Sequence, residues 1–344
     1  MVVVDLDESW FQGVASVERV GHGFRPWRLP HRRRHLFDEE LLLRAAYTSG
    51  VRLRFETDAT ALVLAFEPLP VPDAAVPNGH CFDVVEDNRI VAVARCAGGT
   101  TEARFEAIGA GPRTVEVWLP PSCPVTVTAL HTEGATFARA APDPRPLWVT
   151  WGSSITHCVR AGSAARTWPA SVARRHDLNL RSLGFGGQCH LDPTVAMLIR
   201  DLPAQFISMK LGINTIGGTV SARTYKMLVI ATVAIVREKH PETPLALISP
   251  IAYPPNETAP NAVGYTVAGM RRDMEEVYRR LVEAGDHNLF YVNGLDIFSV
   301  AEIAAYSSDQ CHPNAEGMDL QAEHFSEHVM SLFLRAQPRR KAVS

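Results

Sequence analysis

Four short stretches of the chain carry residue types that can do chemistry, and each follows an apolar run. Gly152-Ser153-Ser154-Ile155-Thr156 follows LWVTW, and Gly184-Phe185-Gly186-Gly187-Gln188 follows LNLRSL. Lys210-Leu211-Gly212-Ile213-Asn214 follows FISM, and Asp309-Gln310-Cys311-His312-Pro313 comes a short helical segment after LFYVNGLDIF. Together they hold a hydroxyl, a glycine-lined backbone, a carboxamide, a carboxylate and an imidazole, the inventory of acyl transfer through a serine. A serine hydroxyl is a weak nucleophile until a nearby base takes its proton. An imidazole suits that task because it titrates near neutrality. A carboxylate on its far nitrogen fixes the tautomer and stabilises the imidazolium. Glycine lets a backbone N–H approach an oxyanion closely, asparagine adds a side-chain donor, and each such donor is worth about 3 kcal/mol of barrier.

The elements that must position these groups follow from the hydrophobic pattern. Beyond residue 146, short strand-like runs (LWVTW, LNLRSLGFG, FISMKLGIN, PLALISP, LFYVNGLDIF) alternate with helical windows (ARTWPASVARRH, PTVAMLIRDL, SARTYKMLVIATVAIVREKH, YTVAGMRRDMEEVYRRLVEAG, NAEGMDLQAEHFSEHVMSLFLR). That alternation predicts a five-stranded parallel sheet with helices on both faces, an α/β fold. In such sheets ligands bind beyond the carboxyl ends of the strands, where the four stretches lie. From about Gly50 to residue 145 the period is two. Val51, Leu53 and Phe55 interleave with Arg52, Arg54 and Glu56, and further runs (ALVLAF, HCFDVVEDNRIVAVAR, TEARFEAI, RTVEVWLP, PVTVTAL) recur with a hairpin turn at Glu86-Asp87-Asn88. Short strands without long helical windows predict an antiparallel, jelly-roll-like β-sandwich. The expected domains are therefore 1–145 and 146–344, joined by the proline-rich APDPRP.

Each block alone has a plainer use. Gly-Ser-Ser commonly caps a helix, Asn214 can cap or turn, the glycines can permit tight turns, and Asp309 and His312 can pair on a helix surface. Their coincidence at one edge of one sheet favours the enzymatic reading. Ser153, His157 and His190 fall near the expected cleft and are candidate substrate contacts, with turn or supporting roles as the alternative for the histidines. Asp192 reads as a helix cap. Trp151, Trp168 and Phe185 either wall the cleft or pack into the core.

Taken in order, the four blocks resemble those of the SGNH hydrolases, the GDSL-type lipases and esterases: GSSIT, LGFGGQ, LGIN and DQCHPNAEG, spanning roughly residues 147–335. The resemblance implies Ser154 as nucleophile, His312 as base and Asp309 as its partner. It implies oxyanion donors from the Ser154 backbone, Gly187 and Asn214. Ser153 stands where the family usually has aspartate, which leaves two candidate hydroxyls; Ser154 is preferred because it holds the family position before Ile155. Hydrolysis of an acylated small molecule or carbohydrate is the family default. Some GDSL-type enzymes that this chain resembles are acyltransferases that tailor polyketides or other natural products from an acyl-CoA. The sandwich resembles modules attached to carbohydrate esterases, so a sugar-binding protein with an inactive catalytic domain is a third, weaker reading.

Composition narrows the partners. The chain has 344 residues, 46% hydrophobic and 21% charged, with a net charge of -3. That balance gives no general reason to bind nucleic acid or an anionic membrane. The run HGFRPWRLPHRRRH (Arg25, Arg28, Arg32, Arg33, Arg34) reads as a solvated edge or interdomain loop, with an arginine rim for an anionic substrate group as the alternative. No apolar run approaches membrane-spanning length, and the acidic start MVVVDLDESW lacks the basic region of a signal peptide, so a cytoplasmic location is expected. The six scattered cysteines lack metal-ligand spacing, and no metal or other cofactor is expected beyond acyl-CoA as a co-substrate. Partners are expected to be a small-molecule acyl donor and an acceptor; oligomeric state is not legible.

Overall fold

The computed structural model describes residues 2–70 and 79–336. The chain forms two compact units: Met1–Arg145 together with His157–Leu183, and Pro146–Thr156 together with Gly184–Ser344.

The first unit contains two six-stranded antiparallel sheets. One runs Ser16–Val20, Gly23–Trp27, Val125–Glu133, Ala61–Pro68, Glu102–Phe105, with Val2–Val4 also on Val125–Glu133. The other runs Ala138–Ala140, Arg52–Thr57, Arg113–Trp118, His80–Glu86, Arg89–Cys96, with Phe11–Gln12 also on Arg52–Thr57. Alternate residues of both sheets share one core, in which Leu53, Phe55, Leu62, Leu64, Val115 and Val117 are fully buried, and Phe66 meets Phe82 with ring centroids 4.5 Å apart. This is a β-sandwich. The Glu86-Asp87-Asn88 turn closes a hairpin, with Asp87 and Asn88 at φ of 47° and 63°; two successive left-handed residues match the twist of the flanking strands. A helix, Glu39–Ala45, capped by the Asp38 carboxylate, precedes the stretch in which the period is two.

Alternation also predicts that the arginines of Arg52–Thr57 face solvent, and for Arg52 the structure differs. Its side chain is fully buried. It pairs with Asp143 at 2.6 Å, donates to Asn179 Oδ1 at 2.8 Å and to the Leu180 carbonyl at 3.3 Å, and lies over the Trp118 ring. Arg145 completes the cluster by pairing with Asp143 and Glu116. Burial alone would raise the Asp143 pKa, but hydrogen bonds from Arg145 and the charge of Arg52 lower it to about 2. The APDPRP segment is thus anchored through Asp143. Asp83, also buried, accepts from Ser163 Oγ and, at 2.7 Å, from the Ala165 N–H, so segment 157–183 is tied to the sandwich strands by buried polar bonds.

The second fold element is a five-stranded sheet in the order Asn179–Gly184, Leu147–Gly152, Phe206–Lys210, Leu245–Ile248, Leu289–Val292. Its ladders pair in parallel. Phe206–Lys210 and Leu245–Ile248 are buried throughout, as strands covered on both faces must be. The helices include Pro193–Asp201, Ala222–Arg237, Val267–Glu283 and Ala315–Phe325. Among the described residues no helix is long and apolar enough to cross a membrane. Trp151, Trp168 and Phe185 are all core residues, so none walls an accessible cleft.

Removing the Arg52 side chain leaves Asp143 buried with one partner fewer. Arg52→Ala should lower unfolding stability by roughly 3 kcal/mol, read as a drop in the urea midpoint. An unchanged midpoint would show that Arg145 alone neutralises the cluster.

Candidate active site

The strand Leu147–Gly152 ends at Gly152, and Ser154 opens the helical turn Ser154–His157. Ser153 is 0% exposed. Its Oγ accepts the Ile155 N–H at 3.3 Å and its carbonyl accepts the Thr156 N–H at 3.0 Å. Ser153 therefore builds the turn and is closed to substrate, whereas Ser154 is partly exposed.

Ser154 Oγ lies 2.8 Å from His312 Nε2, and His312 Nδ1 lies 2.8 Å from Asp309 Oδ2. A carboxylate can only accept, so Nδ1 carries the proton and Nε2 accepts from the serine hydroxyl. The two acidic-loop side chains are about a third open to solvent, 34% for His312 and 37% for Asp309. Asp309 also shapes the loop that carries its partner. Its Oδ1 accepts the His312 N–H at 2.8 Å, the Cys311 N–H at 3.0 Å and the Ser307 hydroxyl at 3.1 Å. Gln310 takes a left-handed conformation, φ 57°, to bring those amides round. Partial burial would raise the Asp309 pKa; the backbone and imidazole bonds and the charge of His312 outweigh it and hold the carboxyl well below the usual range.

The second and third loops meet beside this pair. The Phe185 N–H donates to the Gly152 carbonyl at 2.9 Å, holding the glycine loop beside the serine strand. Gly187 sits at φ +74° with open space where a side chain would be. The Cys189 N–H donates to Asn214 Oδ1 at 3.0 Å, which commits the carboxamide oxygen and leaves Nδ2 as the donor side. Under this loop, Tyr225 donates to the Leu211 carbonyl at 3.2 Å and its phenol fills the space beside Gly212.

Of the other expected contacts, His190 is partly exposed and hydrogen-bonded to Gly187 and Thr219. His157 does not reach the site as a substrate contact: it is 1% exposed, its ring packs edge-on against Tyr47, and its backbone carbonyl accepts from Ser49. Burial, then the charges of Arg28 and Arg44, hold it neutral. Arg28 is buried on backbone carbonyls of Tyr47 and Arg44, while Arg32, Arg33 and Arg34 are exposed.

Two neighbours of the site escape the sequence reading. Cys311 Sγ is 4.0 Å from His312 Nε2, and burial followed by the Asp309 charge pushes its thiol up to about 11. Tyr253 follows the fourth strand at the same sheet edge; burial and the nearby Cys311 and Asp309 raise its pKa. The signal was the run SPIAYPP after PLALI, an aromatic at the one strand end left unread. Among the described residues, no group of three or more His, Cys, Asp or Glu is placed to hold a metal ion.

Fold and site define the class: residues 146–330 match the GDSL-like lipase/acylhydrolase family, and the chain belongs to it. It is an enzyme of the esterase and acyltransferase kind. Residues 9–126 match the SsfX3 N-terminal domain family. Among solved structures, the chain is similar to the salicylyl-acyltransferase SsfX3 from a tetracycline biosynthetic pathway, with 31% identity, 94% of each chain covered and a TM-score of 0.86. It is similar in fold to a putative GDSL-like lipase from Bacteroides ovatus, at 17% identity, 94% and 95% coverage and a TM-score of 0.76. A family two carbohydrate esterase from Clostridium thermocellum shares the fold at 13% identity, 85% and 94% coverage and a TM-score of 0.62. A comparison with curated proteins finds no match.

Because the folded Asp309 pKa lies below its unfolded value, its ionised form stabilises the fold above about pH 4, and that contribution is lost as pH falls further toward the folded value. The urea midpoint of the wild type should exceed that of Asp309→Asn at neutral pH, and the gap should close as the solution is acidified below about pH 4. A gap that stays constant down to about pH 3 would contradict the assigned direction.

Proposed function

We propose that the chain transfers acyl groups through an ester formed on Ser154, with a hydroxyl of a small molecule as acceptor. The observation that carries this reading is the unbroken chain from Ser154 Oγ through His312 to Asp309, with both links at 2.8 Å. His312 takes the hydroxyl proton as Ser154 attacks the acyl carbonyl, and Asp309 stabilises the imidazolium that results. The Ser154 and Gly187 N–H groups and Asn214 Nδ2 form the oxyanion hole that receives the tetrahedral oxygen. His312 then returns the proton to the leaving alcohol or thiol, and activates the incoming acceptor in the second half-reaction. The acyl-CoA or activated ester is a co-substrate, and Ser154, His312, Asp309 and the oxyanion donors supply the remaining chemistry.

The choice of acceptor is supported by the 31% identity, over 94% of the chain, to a salicylyl-acyltransferase. Hydrolysis is the second reading, favoured by the solvent exposure of His312 and Asp309, which gives water access to an acyl-enzyme. The same acyl-Ser154 serves both, so the second step separates them. A transferase must seat its acceptor well enough to compete with bulk water.

A fluorophosphonate should label Ser154, as mapped by mass spectrometry, and Ser154→Ala should abolish labelling with the melting temperature nearly unchanged. His312→Ala should lower turnover by roughly three orders of magnitude or more. Labelling at Ser153 would move the nucleophile. For the acceptor, an acyl-CoA or activated ester is supplied with a panel of polyhydroxylated alcohols, and new ester is measured against free acid. Ester formation that speeds donor consumption supports transfer; acid release indifferent to every alcohol supports hydrolysis.

A further inference from the structure

His190 bridges the two loops that bear the donors of the oxyanion hole. Its Nε2 lies 3.0 Å from the Gly187 carbonyl and its Nδ1 lies 3.1 Å from Thr219 Oγ1. A carbonyl only accepts, so Nε2 carries a proton and donates to it, and Nδ1 bonds the Thr219 hydroxyl. The histidine therefore ties the glycine loop to the loop that follows the Ile213–Gly217 turn.

Gly186 and Gly187 need that tie. They are the central residues of a turn in which the Gln188 N–H donates to the Phe185 carbonyl at 3.1 Å. With φ +74° at its third residue, this is a turn that favours glycine there. Two successive glycines supply little rigidity of their own, because each has many conformations of similar energy. The Gly187 carbonyl and the Gln188 N–H belong to one peptide unit. That unit is held at both ends, by His190 and by Phe185. With it pinned, the direction of the Gly187 N–H depends only on rotation about the bonds of its own Cα. An oxyanion donor acts through preorganisation, and it loses its effect if it must be oriented during the reaction.

We propose that His190 is a positioning residue, which aims the Gly187 N–H by holding the Gly187 carbonyl, and that it does not work by touching substrate. This rests on the reading of Gly187 and Asn214 as the oxyanion hole. The second tie between the same loops, Cys189 N–H to Asn214 Oδ1, orients the other donor, so the two bonds act on the two donors separately.

The test compares His190→Ala, His190→Gln and Asn214→Ala in the full chain. The readouts are p-nitrophenyl acetate hydrolysis and the rate of fluorophosphonate labelling, whose phosphonyl oxygen occupies the same hole even where ester turnover is slow. His190→Ala should lower kcat and the labelling rate about 10- to 100-fold, with KM within about twofold and an unchanged melting temperature. His190→Gln, whose amide N–H can donate to the Gly187 carbonyl, should restore most of the loss. Full kcat in His190→Ala, a rise in KM alone, or no rescue by glutamine would overturn the proposal. Asn214→Ala separates the two levels of inference. If it also retains full rates, the oxyanion-hole reading has failed; if it loses about 100-fold or more while His190→Ala loses nothing, only the role of His190 has failed.

Discussion

Parallel strands deliver their carboxyl ends to one edge of a sheet; the turns that carry Ser154, Gly187 and Asn214 follow three of those strands, and Asp309 and His312 reach them from the loop between helices Val300–Tyr306 and Ala315–Phe325. Loops have no core of their own, so their geometry must come from hydrogen bonds. The Asp309 carboxylate shows how: it accepts two backbone amides, a serine hydroxyl and the His312 imidazole within a single turn of chain. The same four bonds that build the loop set the direction of the ring, whose Nε2 lies 2.8 Å from Ser154 Oγ.

The neighbouring loops use the same device with weaker groups. Ser153, where the family usually has a carboxylate, spends its hydroxyl on the Ile155 amide. The glycine loop is held to the serine strand by Phe185, and to the asparagine loop through Cys189. Tyr225, rooted in a long helix, supports the asparagine turn from beneath. The rigid parts of this site are side chains and amides of ordinary type, placed by strands that are buried on both faces.

The sandwich unit solves a different problem. Its strand Arg52–Thr57 buries an arginine on the face away from the hydrophobic core, and the guanidinium is neutralised by Asp143 and covers Trp118. Buried ion pairs are costly to desolvate; here Asp143, Asn179 and the Leu180 carbonyl take the terminal guanidinium nitrogens, and Nε faces Glu116 at 3.4 Å. Asp83, Arg52 and Arg28 each bond to groups in residues 157–183, so that segment belongs by its contacts with the sandwich strands. The similarity to the salicylyl-acyltransferase SsfX3, over 94% of the chain, extends over both fold elements, including the first.

Much was legible in the sequence by itself. The change of hydrophobic period from two to an alternation of strands and helices marked a sandwich followed by a parallel α/β sheet, because burial on one face or on two leaves different patterns. The four polar blocks stood at strand ends because glycine, serine, asparagine and histidine are unlike the apolar runs before them. Periodicity reports which face of a strand is apolar; what covers the polar face is set by other parts of the chain, and so the burial of Arg52 was not legible. Spacing places a residue on a loop without giving its direction. His157 and Ser153 turned inward, Cys311 and Tyr253 came to lie near His312 and Asp309, and His190 turned onto the Gly187 carbonyl. Those directions depend on left-handed backbone at Gln310 and Gly187 and on hydrogen bonds between loops far apart in the chain. Only the tertiary structure could decide them.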